Sequence, residues 1–307
     1  MKLRRDSRMA PRRNALRPAW QEPPHPLTST GKAVAIVVVL ALVAVPFLVV
    51  VSTSLASPAD VLANGGWVIW PEHPSLDAYR QILAGGVVSR ATLVSVGVTV
   101  VGTTLSLGAT VLLAFALSRP SVVGGRPIML LVLFTFLFPP GIIPAYLVVK
   151  QTGLLDSYAA LIAPVLVNTF NLVVMRGFFQ SLPEELFEAA RIDGASEWMM
   201  LRRITIPLSK AVLAVVGLFY AVSYWNAWFN ALVYLDTPSK WPLQLVVRTY
   251  VLAGGSITDQ SASEALLSAP QTVQMAVVVL ATIPIVLVYP FLQRFFVKGV
   301  LSGAIKS

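Results

Sequence analysis

The 307-residue chain predicts an all-α integral membrane protein with six transmembrane helices, and three observations carry that prediction. Only 12% of its residues are charged while 56% are hydrophobic, against about a quarter charged in soluble domains. The apolar residues come in long blocks, and a helix needs about 20 of them to cross the hydrocarbon. The basic residues cluster in alternate connections between those blocks, as membrane topology requires.

Six stretches have the length and composition of spans: 33–54, 91–118, 127–149, 157–176, 211–235 and 270–293. The first is too long for a signal-peptide core and reads as a retained helix. Small and hydroxyl residues in the second (Ser95, Gly97, Thr99, Gly102, Thr103, Gly108) suit close helix contact. The third contains "FPPGIIP", whose Pro139, Pro140 and Pro144 remove backbone donors and predict a kink. Asn168 and Asn171 put amides into the fourth, and the aromatic-rich fifth leads to a long connection before the sixth. Residues 1–30 are basic and Pro-rich, a tail separate from the membrane-spanning body at 31–307.

With six spans both termini share one side. Eighteen of the 23 Lys and Arg residues fall on the side holding the termini and the connections around Arg119–Arg126 and 177–210. The positive-inside rule makes that side cytoplasmic. It also explains the net charge of +9 through a lipid bilayer rather than nucleic acid. With no cysteine, and His25 and His73 as the only histidines, both outside the spans, no metal site is expected. The spans hold no ionisable residue except at their ends, which argues against ion-coupled transport and intramembrane catalysis.

The connection 177–210 concentrates acidic residues in an otherwise apolar chain: Glu184, Glu185, Glu188, Asp193 and Glu197. Ser181 stands three residues before Glu184, a capping-box spacing, and Pro183 suits a first helical turn. Leu186, Ala189 and Ala190 give this helix a small apolar face, and Gly194 is placed to end it in a left-handed turn. Ser196 caps a second helix carrying Trp198, Met200, Leu201 and Ile204 at helical spacing, which Pro207 closes. Residues alone leave two readings of this helix–turn–helix: a docking element for a cytoplasmic partner, or an interfacial loop joining two spans.

The stretch "EAARIDGASEWMMLRRITIPL" resembles the signature loop of the transmembrane subunits of ATP-binding-cassette (ABC) importers, the carbohydrate-uptake branch in particular. Glu188, Ala189, Ala190, Asp193, Gly194, Ala195 and Pro207 fall on the pattern. Ala211 stands where a second proline often follows, and Met199 and Met200 replace bulkier residues. "KQTGLLDSY" and "FLQRFFVKGVLSGAIKS" are similar to the maltose-type permeases, the latter closest to those of lipoprotein and polysaccharide systems. The resemblance implies a type I importer permease fold with the loop as a coupling helix. It implies as partners a second related permease, two ATPase subunits and an extracytoplasmic sugar-binding protein. No phosphate-binding G-x-x-x-x-G-K-[ST] run occurs, so ATP and Mg²⁺ are expected on the ATPase and no cofactor on this chain. The rival reading is a non-transporting membrane subunit that docks another cytoplasmic partner.

For a sugar path, Tyr220, Tyr224, Trp225 and Asn226 with Asn168 and Asn171 offer flat apolar faces and hydrogen-bonding groups, helix packing being the alternative role. Trp241 and Pro242, in the outer connection 236–269, are candidates to contact the binding protein.

Overall fold

The computed structural model describes residues 26–252 and 271–303, which divide between a unit ending at Leu48 and a unit starting at Val49. All regular elements among the described residues are helices, with no strand. Helix α1 (Pro26–Ser54) is apolar along its length, and its large side chains from Val34 to Leu48 are exposed.

Two short helices, α2 (Pro58–Ala63) and α3 (Asp77–Leu83), precede the 32-residue α4 (Val87–Ser118). Asp60 in α2 is buried and holds the 72–73 turn, accepting from the backbone N–H of His73 and meeting its ring Nδ1 at 3.2 Å. These hydrogen bonds from His73 hold the Asp60 carboxyl below the usual carboxylate range.

Three of the expected spans are broken rather than continuous. In the third, α5 (Gly125–Leu137) and α6 (Ile142–Gln151) meet at 118°, a reversal rather than a kink. Pro139 and Pro140 withhold two N–H groups, and Gly141 at φ +79° takes a conformation that costs other residues. The fourth divides into α7 (Ala159–Ile162), extended by one 3₁₀ turn, and α8 (Thr169–Gln180), bent by 52°. Asn168 caps α8, its Oδ1 accepting from the Asn171 N–H at 3.1 Å.

The loop helices are α9 (Glu184–Ile192) and α10 (Glu197–Met200), the second continuing through a π turn (Leu201–Thr205) into α11 (Ile206–Leu208). Pro207 therefore does not close the helix. The wider turn before it makes room for the proline ring, and the chain bends by 85° only at Ser209, into α12 (Lys210–Trp225). The fifth span is likewise interrupted, with α12 and α13 (Trp228–Tyr234) separated at Asn226–Ala227. The Asn226 side-chain amide donates to the Val222 carbonyl at 2.9 Å, competing with the helical backbone. Helices α14 (Leu243–Leu252) and α15 (Gln271–Gly303) complete the described chain.

Helices α4, α8 and α12 pack on one another and form the centre of the second unit. Gly102 permits the approach of α12: a Cβ there would lie 2.8 Å from the Tyr224 ring. Gly97 and Gly108, expected to do the same, have no heavy atom within 4 Å of such a Cβ and are not contact points. One buried cluster runs from Tyr234 and Leu235 through Val216, Leu172 and Ala114 to Phe187 and Met200, so the loop shares its core with the spans.

Candidate functional site: a polar loop and a recess joined by one core

The 184–208 segment is a rigid element with one face built into the bundle. Helix α9 ends as its glycine predicts. The Ala195 N–H bonds to the Ala190 carbonyl at 2.9 Å and the Gly194 N–H to that of Arg191 at 3.0 Å. These are the paired bonds of a Schellman turn, with Gly194 at φ +79°. Ser196 then caps α10 by accepting from the Met199 N–H at 3.3 Å. Ser181 does not cap α9: its hydroxyl turns back to the Phe178 carbonyl at 2.7 Å, and α9 starts after Pro183. Arg191 lies 3.6 Å from Glu184 and 3.9 Å from Glu197, bridging the two loop helices. These exposed pairs contribute at most about 1 kcal/mol.

Phe187 and Met200 are each 1% exposed and anchor this segment inward. On the other side Ile192 (87% exposed) and Trp198 (63%) stand free together with Leu186 and Met199. Glu188, Ala189, Asp193, Gly194 and Pro207 are exposed, with Ala190 and Ala195 half-buried beneath them. Acidic groups around uncovered apolar side chains, on a segment fixed from behind, have the character of a surface suited to docking. The inward anchor Phe187 was legible only as one apolar residue among several, since periodicity alone does not separate it from Leu186.

The second feature is a recess of about 370 Å³ between α8 and α12. Four of the predicted path residues line it together, Asn168, Asn171, Tyr220 and Tyr224, joined by Val165, Phe170, Phe219 and Ser223. The tyrosine hydroxyls are already committed. Tyr224 pairs with Ser106 at 2.7 Å, and Tyr220 pairs with Thr110 at 2.7 Å while accepting from the Asn168 N–H at 2.9 Å. They therefore fasten α12 to α4 and offer the recess only their ring surfaces. Asn171 differs: it is 4% exposed, lines the recess, and its side-chain amide bonds to no other group among the described residues. Phe170 and Phe219 line the same recess and meet each other, with ring centroids 6.0 Å apart.

Trp225 and Asn226 are not part of this recess. The Trp225 indole donates to the Ala281 carbonyl at 3.0 Å, tying α12 to α15, and Asn226 ends its own helix. At the α13 end, Asp156 clamps two connections together. At φ +53° it accepts from the Thr237 hydroxyl (2.6 Å), the Thr237 N–H (3.0 Å) and the Lys240 ammonium (2.6 Å). Lys240 and then Thr237 hold its carboxyl far below the usual carboxylate range. Just beyond the clamp Pro242 is buried and Trp241 half-buried, its indole 3.4 Å from the Leu235 carbonyl. Residues 253–269 of the same connection lie outside the described residues.

A bundle of bent spans around a weakly polar recess, with no Asp, Glu, Lys, Arg or His in its described lining and with a core continuous with a polar loop, suits a membrane translocation subunit worked by a separate partner. Comparison with known proteins gives the family. Residues 85–302 match the "Binding-protein-dependent transport system inner membrane component" family, and the chain belongs to it. It is 44% identical over 264 residues to the polygalacturonan/rhamnogalacturonan transport system permease protein YtcP of Bacillus subtilis (strain 168), covering 85% of this chain and 92% of that one. Protein LplC of the same organism is 44% identical over 268 residues, covering 87% and 90%. Among solved structures, a bacterial ABC transporter involved in the import of the acidic polysaccharide alginate has a chain that superposes with a TM-score of 0.80 at 31% identity, covering 88% of this chain and 96% of that one. The protein is thus an integral membrane permease subunit of a binding-protein-dependent ABC importer, not itself an enzyme, with ATP hydrolysis on a separate chain.

Proposed function

We propose that this chain conducts an oligosaccharide across a bacterial cytoplasmic membrane, into the cytoplasm, as one of two related, non-identical permease subunits. The observation that carries the substrate class is the recess. The Asn171 amide, which bonds to no other side chain or backbone group among the described residues, lines this recess together with phenylalanine and tyrosine rings, a setting that suits a ligand with hydroxyl groups on otherwise apolar faces. At about 370 Å³ it lies within the range of small-molecule sites. The substrates named for two relatives, polygalacturonan/rhamnogalacturonan and alginate, are polysaccharides.

In this reading both termini and the 184–208 loop are cytoplasmic, as the distribution of basic residues supports. Glu188, Ala189, Ala190, Asp193, Gly194, Ala195 and Pro207 form the coupling surface, and Ile192 and Trp198 supply apolar anchors for a groove on the ATPase. Two such ATPase subunits hold the ATP and Mg²⁺. The opposite end, with the Asp156 clamp and the half-buried Trp241, faces the sugar-binding protein, Pro242 supporting Trp241 from within. Closure of the ATPases moves the loop, and the shared core passes that motion to the helices lining the recess.

Purification of the tagged chain with its partners tests this reading. It should bring down an ATPase and a second permease, with ATP hydrolysis rising when sugar-loaded binding protein is added. A preparation in which loaded binding protein leaves hydrolysis unchanged would refute it.

A further inference from the structure

One charged residue inside the protein has no part in the loop surface or the recess. Arg119 caps α4 at the end that meets the loop and is only 8% exposed. Its guanidinium carbon lies 3.5 Å from the ring centroid of Phe187, on α9, and 4.5 Å from that of Phe115, on α4 itself. Its Nε is buried with no hydrogen-bond partner among the described residues. Burial pushes the guanidinium down from the usual arginine range, offset in part by the Glu197 and Glu184 carboxylates, with Arg191 opposing. It stays charged, as arginine does in proteins.

A leucine would fill this space without the cost of taking a cation out of water. What the guanidinium adds is a directional contact. Its plane stacks on ring faces, and the attraction holds only within about 6 Å of the centroid. The partner ring belongs to the segment an ATPase would move, and the cation to the end of the helix whose Ser106 and Thr110 hold Tyr224 and Tyr220. Those two bonds lie about 20 and 14 Å from Arg119 along α4, at 1.5 Å per residue. Beside it, the Arg176 Nε–H donates to the Leu117 carbonyl at 2.9 Å, so α8 is fastened to the same end of α4. Through α4, both walls of the recess are thus linked to the end where Arg119 meets the loop, α8 directly and α12 by way of the two tyrosine bonds.

We propose that Arg119 is the positioning residue that couples loop movement to the recess, gripping Phe187 so that α4, and with it α8 and α12, follow α9. The proposal rests on the importer reading above. It separates two contacts that a loop deletion would confuse: the outer face binds the ATPase, while Arg119 and Phe187 transmit.

The test uses the complete importer in proteoliposomes, with Arg119→Gln, Arg119→Lys, Phe187→Leu and the Arg119→Gln/Phe187→Leu double variant. Co-purified ATPase reports docking. ATP hydrolysis with and without loaded binding protein, and sugar moved per ATP, report coupling. Arg119→Gln and Phe187→Leu should keep the ATPase at wild-type stoichiometry while stimulation by binding protein falls about tenfold, or about 1.4 kcal/mol. Arg119→Lys should recover little, because an ammonium lacks the stacking plane, and the double variant should be no worse than either single one. Stimulation within about twofold of wild type in either assembled single variant overturns the proposal. So does loss of bound ATPase in both, which would make the contact a filler of the fold. No stimulation in the wild type would instead refute the importer reading.

Discussion

The hydroxyl of Tyr220 offers a direct measure of how the recess is held. It makes two bonds, to Thr110 on α4 and from the Asn168 N–H at the head of α8, and the residue is 2% exposed. Tyr220→Phe keeps the ring, so no sizeable cavity opens and only the two polar contacts are lost. Hydrogen bonds within membrane proteins average about 0.6 kcal/mol and reach about 1.7. The loss should therefore be about 1–3 kcal/mol, towards the upper end because the Asn168 N–H is left without its acceptor. Tyr224→Phe removes the single bond to Ser106 and should cost about half as much. Thermal unfolding in detergent, followed by tryptophan fluorescence, reads both, at about 2–4 °C per kcal/mol for a chain of this size. Thr110→Val should cost less in the Tyr220→Phe background than alone, since the partner is already gone. Equal melting of Tyr220→Phe and wild type, or a larger loss for Tyr224→Phe, would refute the assignment of these hydroxyls to helix fastening.

Asn171→Leu should leave assembly and unfolding temperature close to wild type yet lower sugar transport by tenfold or more, measured with radiolabelled sugar in proteoliposomes. Gly194→Val forces a β-branched residue to φ +79°, costing about 1–2 kcal/mol locally. With Glu188→Lys, it should insert normally by membrane fractionation yet abolish uptake. The Asp156 clamp predicts a pH effect of definite sign. A carboxyl held below its ordinary value of 3.8 stabilises fully above that value and loses the contribution as pH falls below it. Unfolding temperatures should therefore drop more steeply below about pH 4 in the wild type than in Asp156→Asn, and the variant should be less stable at neutral pH, where Lys240 loses its partner.

Much of this was legible because it rests on local rules. Apolar block length gives the spans. Gly194 and Ser196 gave the loop turn and cap, since a left-handed C-terminal residue and a hydroxyl N-cap are short-range requirements met by particular side chains. The capping box at Ser181 failed because the Phe178 carbonyl takes its hydroxyl and α9 starts only after Pro183. Pro139 and Pro140 marked the break in the third span, but not its size. A proline removes a bond, and the surrounding helices decide how far the chain then turns.

The recess shows the same division. Polar and aromatic residues on two spans marked Asn168, Asn171, Tyr220, Tyr224, Trp225 and Asn226 as path candidates, and the structure gathers the first four at one recess while Trp225 and Asn226 lie outside it. Nothing local distinguishes Asn171, whose amide is left to the recess, from Tyr220, whose hydroxyl is spent on α4 and α8. That depends on Thr110, 110 positions away along the chain. By itself the sequence determined a helical membrane protein with several long apolar segments and a polar, glycine-turned loop, because hydrophobic length and capping act within a few residues. The tertiary structure alone decided which polar groups are paired, where spans break, and that Arg119 meets Phe187, because those depend on which helices touch and at what distance.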